Sequence, residues 1–219
     1  MLGISAGSRR LLAFLAVRHQ TMTRGQVAGE LWPGATGEHA GASLRSAVSR
    51  LEGPTRQAVK VTAHDLGLDD GVVVDVHRGQ ALAHRLIDPR AAAAEPDIDA
   101  VAVSSLSNDL LPGWYDDWAV IAAEDWRQLR MHALEAVAAR LLAADRLAEA
   151  ATAALSAVRA EPLRESARAA LIRVHMAEGN QSDALGEFDR YRVLLRAELG
   201  IEPTSRLSQV LAGLQRRSS

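Results

Sequence analysis

The second half of the chain repeats its own pattern at a regular interval, and this repeat constrains the fold more than any other feature. At an offset of 34 positions Ala143 aligns with Ala177, and Ala150 aligns with Ala184, around a polar turn before a second helix. A short side chain at positions 150 and 184 lets two helices approach closely, and Gly179 suits the turn between them. The pattern predicts paired helices from Trp118 to Arg217.

A period of about 34 residues is typical of tetratricopeptide-like (TPR-like) helical hairpins. Two repeats cannot bury their own end faces, so flanking helices near Trp118 and after Thr204 are expected to cap the stack.

Residues 1–76 predict a different unit, with three helices followed by a β-hairpin. The third helix carries an apolar stripe that includes Ala40, Leu44 and Ala47. This order of elements is typical of a winged helix. The expected elements are helices Ser8–Val17 with Ser8 as N-cap, Thr23–Leu31 with Thr23 as N-cap, and Glu38–Leu51, and strands Val59–Thr62 and Val72–Val76 joined by a turn at residues 69–71.

The predicted fold class is therefore mainly α, with an N-terminal winged helix-turn-helix that has a small β wing and an all-α TPR-like repeat domain after it. The expected domains are 1–76 for DNA binding and 111–219 for the repeats. Residues 77–110 are expected to form a connecting helix from Val76 to Leu86 and then a linker at Pro89–Pro96.

Composition argues against several other classes. The chain has no cysteine, which excludes disulfides and thiolate chemistry. It has no secretory signal pattern and no apolar run of the length that a membrane-spanning helix needs, so a cytoplasmic protein without a membrane partner is predicted.

Catalytic signals are weak. His132 with Glu135 and His175 with Glu178 have a spacing seen in metal sites, but the two pairs are not separated by the repeat interval and so are not equivalent. The chain also lacks a phosphate-binding glycine loop and a nucleophile elbow. We expect no enzymatic activity, no metal and no cofactor.

The charge distribution favours nucleic acid as a partner of the first part. Residues 1–62 carry 8 basic and 3 acidic side chains, whereas residues 63–219 carry 17 basic and 24 acidic ones. A basic segment beside an acidic one fits a DNA-binding surface next to an unrelated module, although an ordinary solvated surface could show the same excess.

Candidate DNA contacts follow from the winged-helix order, in which the third helix enters the major groove. Arg45 and Arg50 are the main candidates because a guanidinium can donate two hydrogen bonds to guanine, unless a nearby carboxylate pairs with it. The other candidates are Ser46 and Ser49 for weaker base contacts, Thr23, Arg24 and Ser43 for phosphate at helix N-termini, and Lys60 and Thr62 beside the wing.

Several segments resemble one known family. In the second half these are LLPGWYDDW at 110–118, EPLRESA at 161–167 and YRVLLRAELGIEP at 191–203. In the first half they are LLAFLA at 11–16, LWP at 31–33, SLRSAVSRL at 43–51 and LGLDDGVVVDV at 66–76. Together they resemble the actinobacterial antibiotic regulatory activators and the bacterial transcriptional activator domain that these proteins share.

The resemblance implies a transcriptional activator that binds direct repeats in double-stranded promoter DNA and contacts RNA polymerase holoenzyme, with a homodimer as a further option. It also implies a small sheet ahead of the first helix. Only residues 1–7 precede that helix, so we expect this sheet to be missing.

A second interpretation is a protein-interaction module of the same family that has lost sequence-specific DNA binding. The missing sheet favours this alternative, as do the unusual residues Gly41, Ser49 and Glu52 in or near the third helix. Glycine inside a helix costs about 1 kcal/mol relative to alanine, and a carboxylate facing phosphate is repelled.

Overall fold

The computed structural model describes residues 3–91 and 94–215. The chain divides into two compact units. The first contains Met1–Val76 and Leu111–Glu124, and the second contains His77–Leu110 and Asp125–Ser219.

The first unit contains the three predicted helices and a small sheet. Its elements up to residue 68 are α1 (Ala6–Arg18), β1 (Met22–Thr23), α2 (Arg24–Leu31), α3 (Gly37–Ser49), α4 (Gly53–Gln57), β2 (Val59–Val61) and β3 (Asp65–Leu68). Thr23 caps α2 as predicted, because its hydroxyl accepts from the N–H of Gln26 at 3.3 Å. The predicted cap of α1 is wrong, since Ser5 caps this helix. Ser8 is buried inside α1 and donates to the carbonyl of Ala47 at 2.8 Å.

The predicted hairpin strand at Val72–Val76 is also wrong. The hairpin is formed by β2 and β3, in antiparallel register with Lys60 opposite Gly67, and β1 pairs with the other edge of β3. Because β3 already has a neighbour on each side, its ladder has no free edge for a further strand. The Asp69–Gly71 turn does form, with the N–H of Gly71 bound to Oδ1 of Asp69 at 3.0 Å, but it leads into a helix.

Aromatic side chains extend the core of the first unit into its second segment. Trp118 is 5% exposed and its ring meets that of Phe14 edge-on, with centroids 5.3 Å apart. Trp114 packs on Trp118 in the same way at 5.8 Å, and Asp116 forms an ion pair with Arg10 of α1. Residues 111–124 therefore pack as part of the winged-helix core, although the sequence assigned them to the repeat domain.

Every regular element in the described residues of the second unit is a helix. Its elements are α5 (Asp75–Ile87), a 3₁₀ helix (Glu95–Asp97), α6 (Ala100–Ser107), α7 (Asp117–Ala143), α8 (Leu147–Ala160), α9 (Glu165–Ala177), α10 (Gln181–Leu199) and α11 (Ser205–Gln215), with α5 and α7 starting among residues of the first unit.

The repeat in the sequence is confirmed by the helix ends. The helices α7 and α9 end at Ala143 and Ala177, and the helices α8 and α10 begin at Leu147 and Gln181. In both pairs the second position follows the first by the interval of the sequence repeat. Ala150 and Ala184 are fully buried, as the close approach of paired helices requires. The predicted fold class, a winged helix followed by TPR-like helices, is confirmed.

Buried polar contacts join α9 to the helices after it. Arg168 forms an ion pair with Glu187 of α10, and its Nε and Nη2 atoms donate to the carbonyl of Pro162 at 3.1 and 3.0 Å. The guanidinium also lies 5.5 Å from the ring centroid of Tyr191, whose hydroxyl donates to the carbonyl of Leu163. These contacts give EPLRESA and the start of YRVLLRAELGIEP a physical role, because together they fix α9, α10 and the loop before α9 to one another.

Arg140 of α7 binds the carbonyl of Ala91 in the segment predicted as a linker. The guanidinium of Arg140 donates to the carbonyls of Leu86, Asp88 and Ala91 at 2.9 to 3.2 Å, and so satisfies acceptors at and beyond the end of α5. Arg85 binds Asp97 at 2.7 Å. The predicted linker Pro89–Pro96 also includes residues 92–93, which lie outside the described residues.

Candidate nucleic-acid interface

The helices α2 and α3 form a helix-turn-helix. The second helix buries Val27, Ala28 and Leu31, and α3 buries Ala40, Leu44 and Ala47 against the same core. The N-cap of α3 is Thr36, whose hydroxyl accepts from the N–H of His39 and lies 2.8 Å from Nδ1 of the same residue. Because one face of α3 is fixed by the core, the opposite face is held towards solvent.

Arg45 and Arg50 lie on or next to this outward face. Both side chains are exposed, and no carboxylate among residues 3–91 and 94–215 forms an ion pair with either. Nη1 of Arg45 lies 3.5 Å from the position that a Cβ on Gly41 would occupy. The missing side chain at Gly41 therefore leaves room for this guanidinium along the helix surface.

The serines of α3 are less available than the arginines. Ser49 is exposed, but its hydroxyl donates to the carbonyl of Ser46 at 3.1 Å. Ser43 and Ser46 are half-buried at the edges of the apolar face. Of the four polar candidates in or near α3 that the sequence ranked for base contact, only the two arginines combine full exposure with free donors among the described residues.

The start of α2 is tied to the tip of the hairpin. The backbone N–H of Arg24 donates to the carbonyl of His64 at 2.8 Å, and its Nη1 donates to the carbonyl of Thr62 at 3.3 Å. The hydroxyl of Thr62 accepts from the N–H of Asp65 at 2.9 Å and closes the turn. Thr23 is occupied as the cap of α2. Thr23, Arg24 and Thr62 thus lie together, and all three have structural partners.

Lys60 lies on the hairpin strand β2 and points to solvent. Its ammonium group lies 3.5 Å from Oδ2 of Asp70, with both side chains more than half exposed. An exposed pair of this geometry contributes about 0–1 kcal/mol, so it does not prevent Lys60 from meeting a phosphate.

Three exposed residues on α3 were not among the predicted DNA contacts. Ala42 lies one helical turn before Arg45 on the outward face, and Glu38 and His39 lie a further turn back. His64 at the hairpin turn was also missed. Spacing from Arg45 could have identified the residues of α3, but His64 could not be found while the turn was placed at residues 69–71.

The two histidine–glutamate pairs are occupied within the helical unit. Oε1 of Glu135 accepts from Nε of Arg164 and the hydroxyl of Ser166, both at 2.6 Å. Nδ1 of His175 lies 3.4 Å from Glu178, which also accepts from Asn180. No group of three or more metal-ligating side chains occurs among the described residues.

Comparison with known proteins adds to this geometry. The fold is a helix-turn-helix with a β wing followed by TPR-like helices. The family model for the bacterial transcriptional activator domain matches residues 74–215. The chain therefore belongs to the bacterial transcriptional activator domain family, and the resemblance to the actinobacterial antibiotic regulatory activators is confirmed.

Among solved structures, one similar chain is Mycobacterium tuberculosis EmbR in complex with a low-affinity phosphopeptide. It matches with a TM-score of 0.60 at 22% identity, over 97% of this chain. This chain spans 60% of the length of that EmbR chain. A search of the curated proteins returns no match. None of the helices in the described part of the chain is long and apolar enough to cross a membrane.

Proposed function

We propose that this chain is a transcriptional regulator that binds double-stranded promoter DNA in the cytoplasm by placing α3 in the major groove. The observation that carries the proposal is the pair Arg45 and Arg50, exposed on the outward side of a helix-turn-helix and without a carboxylate partner among the described residues. A guanidinium that donates two hydrogen bonds to O6 and N7 of guanine contributes about 1–3 kcal/mol of discrimination between bases.

The remaining candidates position the protein on the phosphates. The N-terminus of α2 offers a partial positive charge beside the side chain of Arg24. Lys60 on the hairpin would meet a neighbouring phosphate. Ser43, Ser46 and Ser49 lie at or beside the reading face, and there they add contacts of lower selectivity. Thr23 and Thr62 act by fixing the helix start and the hairpin turn.

We assign DNA binding to the first unit and partner binding to the second. Stacked helical hairpins present a surface of inner helices on which segments of other proteins can lie. The family resemblance implies RNA polymerase as the protein partner and a second copy of the chain as a further option. Such a protein acts by recruitment, and no catalytic step is needed.

The test separates base reading from phosphate contact. A preferred sequence is first selected from a pool of random duplexes with the full chain, and binding of this duplex and of a scrambled duplex is measured by fluorescence anisotropy. Arg45→Ala and Arg50→Ala should each weaken the selected duplex by about 1–3 kcal/mol and reduce the preference at one base position. Lys60→Ala, the matched control, should weaken both duplexes alike. Equal losses on both duplexes for all three variants would contradict base reading by α3.

A second candidate function has its own observation. Glu38 and Glu52 are exposed at the two ends of the arginine-bearing face of α3, and each would face the phosphates if α3 entered the groove. This favours a protein-interaction module that has lost sequence-specific recognition. Glu52→Gln distinguishes the two functions, because it should strengthen DNA binding if α3 lies in the groove and change nothing if it does not.

A further inference from the structure

The inner helices of the second unit enclose a groove of about 530 Å³. It is lined by α7, α9 and α11, which are every second helix of the repeat series. Its floor is formed by small and aliphatic side chains, among them Ala138, Ala139, Ala169, Ala170 and Leu207. Because alanine extends so little from the helix backbone, the floor leaves room for the chain of a partner.

Four charged side chains line this groove, and the two acidic ones are already bound. Glu135 accepts from Arg164 and Ser166. Glu165 accepts from the backbone N–H of Thr204 at 2.9 Å and from its hydroxyl. These hydrogen bonds tie both carboxylates to neighbouring segments of the second unit.

The two basic side chains are free. Arg173 on α9 and Arg206 on α11 are exposed at the groove, and neither has an ion pair within the described ranges 3–91 and 94–215. An arginine that has no carboxylate partner keeps its full set of donors for a ligand. Glu135 is neutralised by Arg164, and the remaining charges of the groove lining, Arg173, Arg206 and Glu165, sum to +1.

We propose that this groove binds an acidic peptide segment of a partner protein. Its carboxylates would lie on Arg173 and Arg206, and its apolar side chains on the alanine floor. Net charge alone favours neither a basic nor an acidic partner, since the second unit, residues 77–110 and 125–219, carries 17 basic and 17 acidic side chains. Net charge governs steering at long range, whereas contact depends on the groups that remain unpaired at the site. The proposal rests on the assignment of partner binding to the second unit and is independent of DNA binding by α3.

The experiment starts from an unbiased probe. A displayed library of short random peptides is selected on the immobilised full-length chain, and the charge of the enriched peptides is compared with that of the starting library. The most enriched peptide is synthesised with a fluorescent label and titrated with three proteins: the wild type, the double variant Arg173→Gln/Arg206→Gln, and the control Arg159→Gln. Arg159 is exposed on α8 and does not line the groove.

Enrichment of Asp and Glu is expected, with affinity reduced about 3- to 10-fold per arginine in the double variant and unchanged in the control. Affinity should also fall as salt rises. Enrichment of basic or uncharged peptides, no enrichment, or equal binding by the double variant would overturn the proposal. Binding of duplex DNA is measured on the same proteins. If the double variant loses peptide binding but still binds DNA, the loss is specific to the groove. If the wild type binds the peptide but not DNA, only the proposed role of α3 is contradicted.

Discussion

Asp145 and Gly179 occupy equivalent turns of the two helical hairpins and share a left-handed backbone conformation. Their φ angles are 59° and 78°, and the two positions are related by the repeat interval. Glycine adopts this conformation without steric cost, whereas a residue with a Cβ is strained there. The same backbone turn is thus made with strain in the first hairpin and without it in the second.

Replacement at these two turns should therefore have opposite effects. Asp145→Gly should raise the free energy of unfolding by about 0.5–1 kcal/mol, because relief of the left-handed strain outweighs the added freedom of the unfolded chain. Gly179→Ala should lower it by about 1 kcal/mol. Urea unfolding followed by circular dichroism measures both. Stabilisation by both variants, or by neither, would contradict the equivalence of the two turns.

The buried alanines set the distance between paired helices. Ala184 is fully buried in a cluster with Ala169 and Ile172 of α9. Ala184→Leu should destabilise the protein by about 1–3 kcal/mol through overpacking, and Ala150→Leu should do the same in the first hairpin. Ala148→Leu is the matched control, since Ala148 is exposed on α8. A normal melting temperature for Ala184→Leu would show that the helices are not closely packed at this position.

Arg168 holds α9 against α10. Its side chain is 10% exposed and that of its partner Glu187 is 5% exposed, and Glu187 also binds Arg190 at 2.6 Å. Arg168→Met should cost about 2–4 kcal/mol, because it removes the hydrogen bonds to Pro162 and leaves a buried carboxylate with one partner. Arg192→Met tests an exposed pair with Asp189 and should change stability by less than about 0.5 kcal/mol. Equal effects in thermal melting would indicate that Arg168 contributes only as a surface charge.

Asp97 gives the second unit a pH-dependent contact. The hydrogen bond from Arg85 lowers the pKa of this carboxyl, with smaller help from the N–H of Ala94 and the charge of Arg140. A carboxyl whose pKa is lowered by folding stabilises the protein above its ordinary pKa, and this contribution is lost as pH falls through the folded value. Asp97→Asn should therefore cost about 1–2 kcal/mol at neutral pH. Urea unfolding of both proteins should show the difference shrinking below about pH 4. A difference independent of pH would contradict the role of the Asp97 charge.

The sequence predicted the features that depend on local pattern. The repeat period predicted the two helical hairpins, and Thr23 was correctly chosen as the cap of α2. It did not predict β3 at Asp65–Leu68, because a short strand with a central glycine lacks the β-branched pattern that Val72–Val74 displays. Residues 65–68 form a strand because they pair with β1 and β2, and this pairing depends on tertiary contacts.

The placement of residues 111–124 was out of reach for a related reason. The sequence indicates only that Trp114 and Trp118 are apolar. Their packing in the same core as Phe14 of α1 is a tertiary contact that the structure shows. In the candidate interface, the sequence named Arg45 and Arg50 from composition and helix phase. No sequence pattern indicates that the hydroxyl groups of Ser49, Thr23 and Thr62 already have hydrogen-bond partners within the protein.

The most direct test of the central claim, that α3 and the hairpin hold DNA, is the salt dependence of binding. Each phosphate neutralised contributes about −0.9 to the slope of log affinity against log salt, so contacts from Arg24, Arg45, Arg50 and Lys60 predict a slope of roughly −3 to −5 per protomer. Fluorescence anisotropy of a labelled duplex with the full chain, at salt concentrations from about 50 to 300 mM, measures it. The account predicts that Lys60→Ala reduces the slope by about one unit. An affinity that does not change with salt would contradict DNA binding by this face.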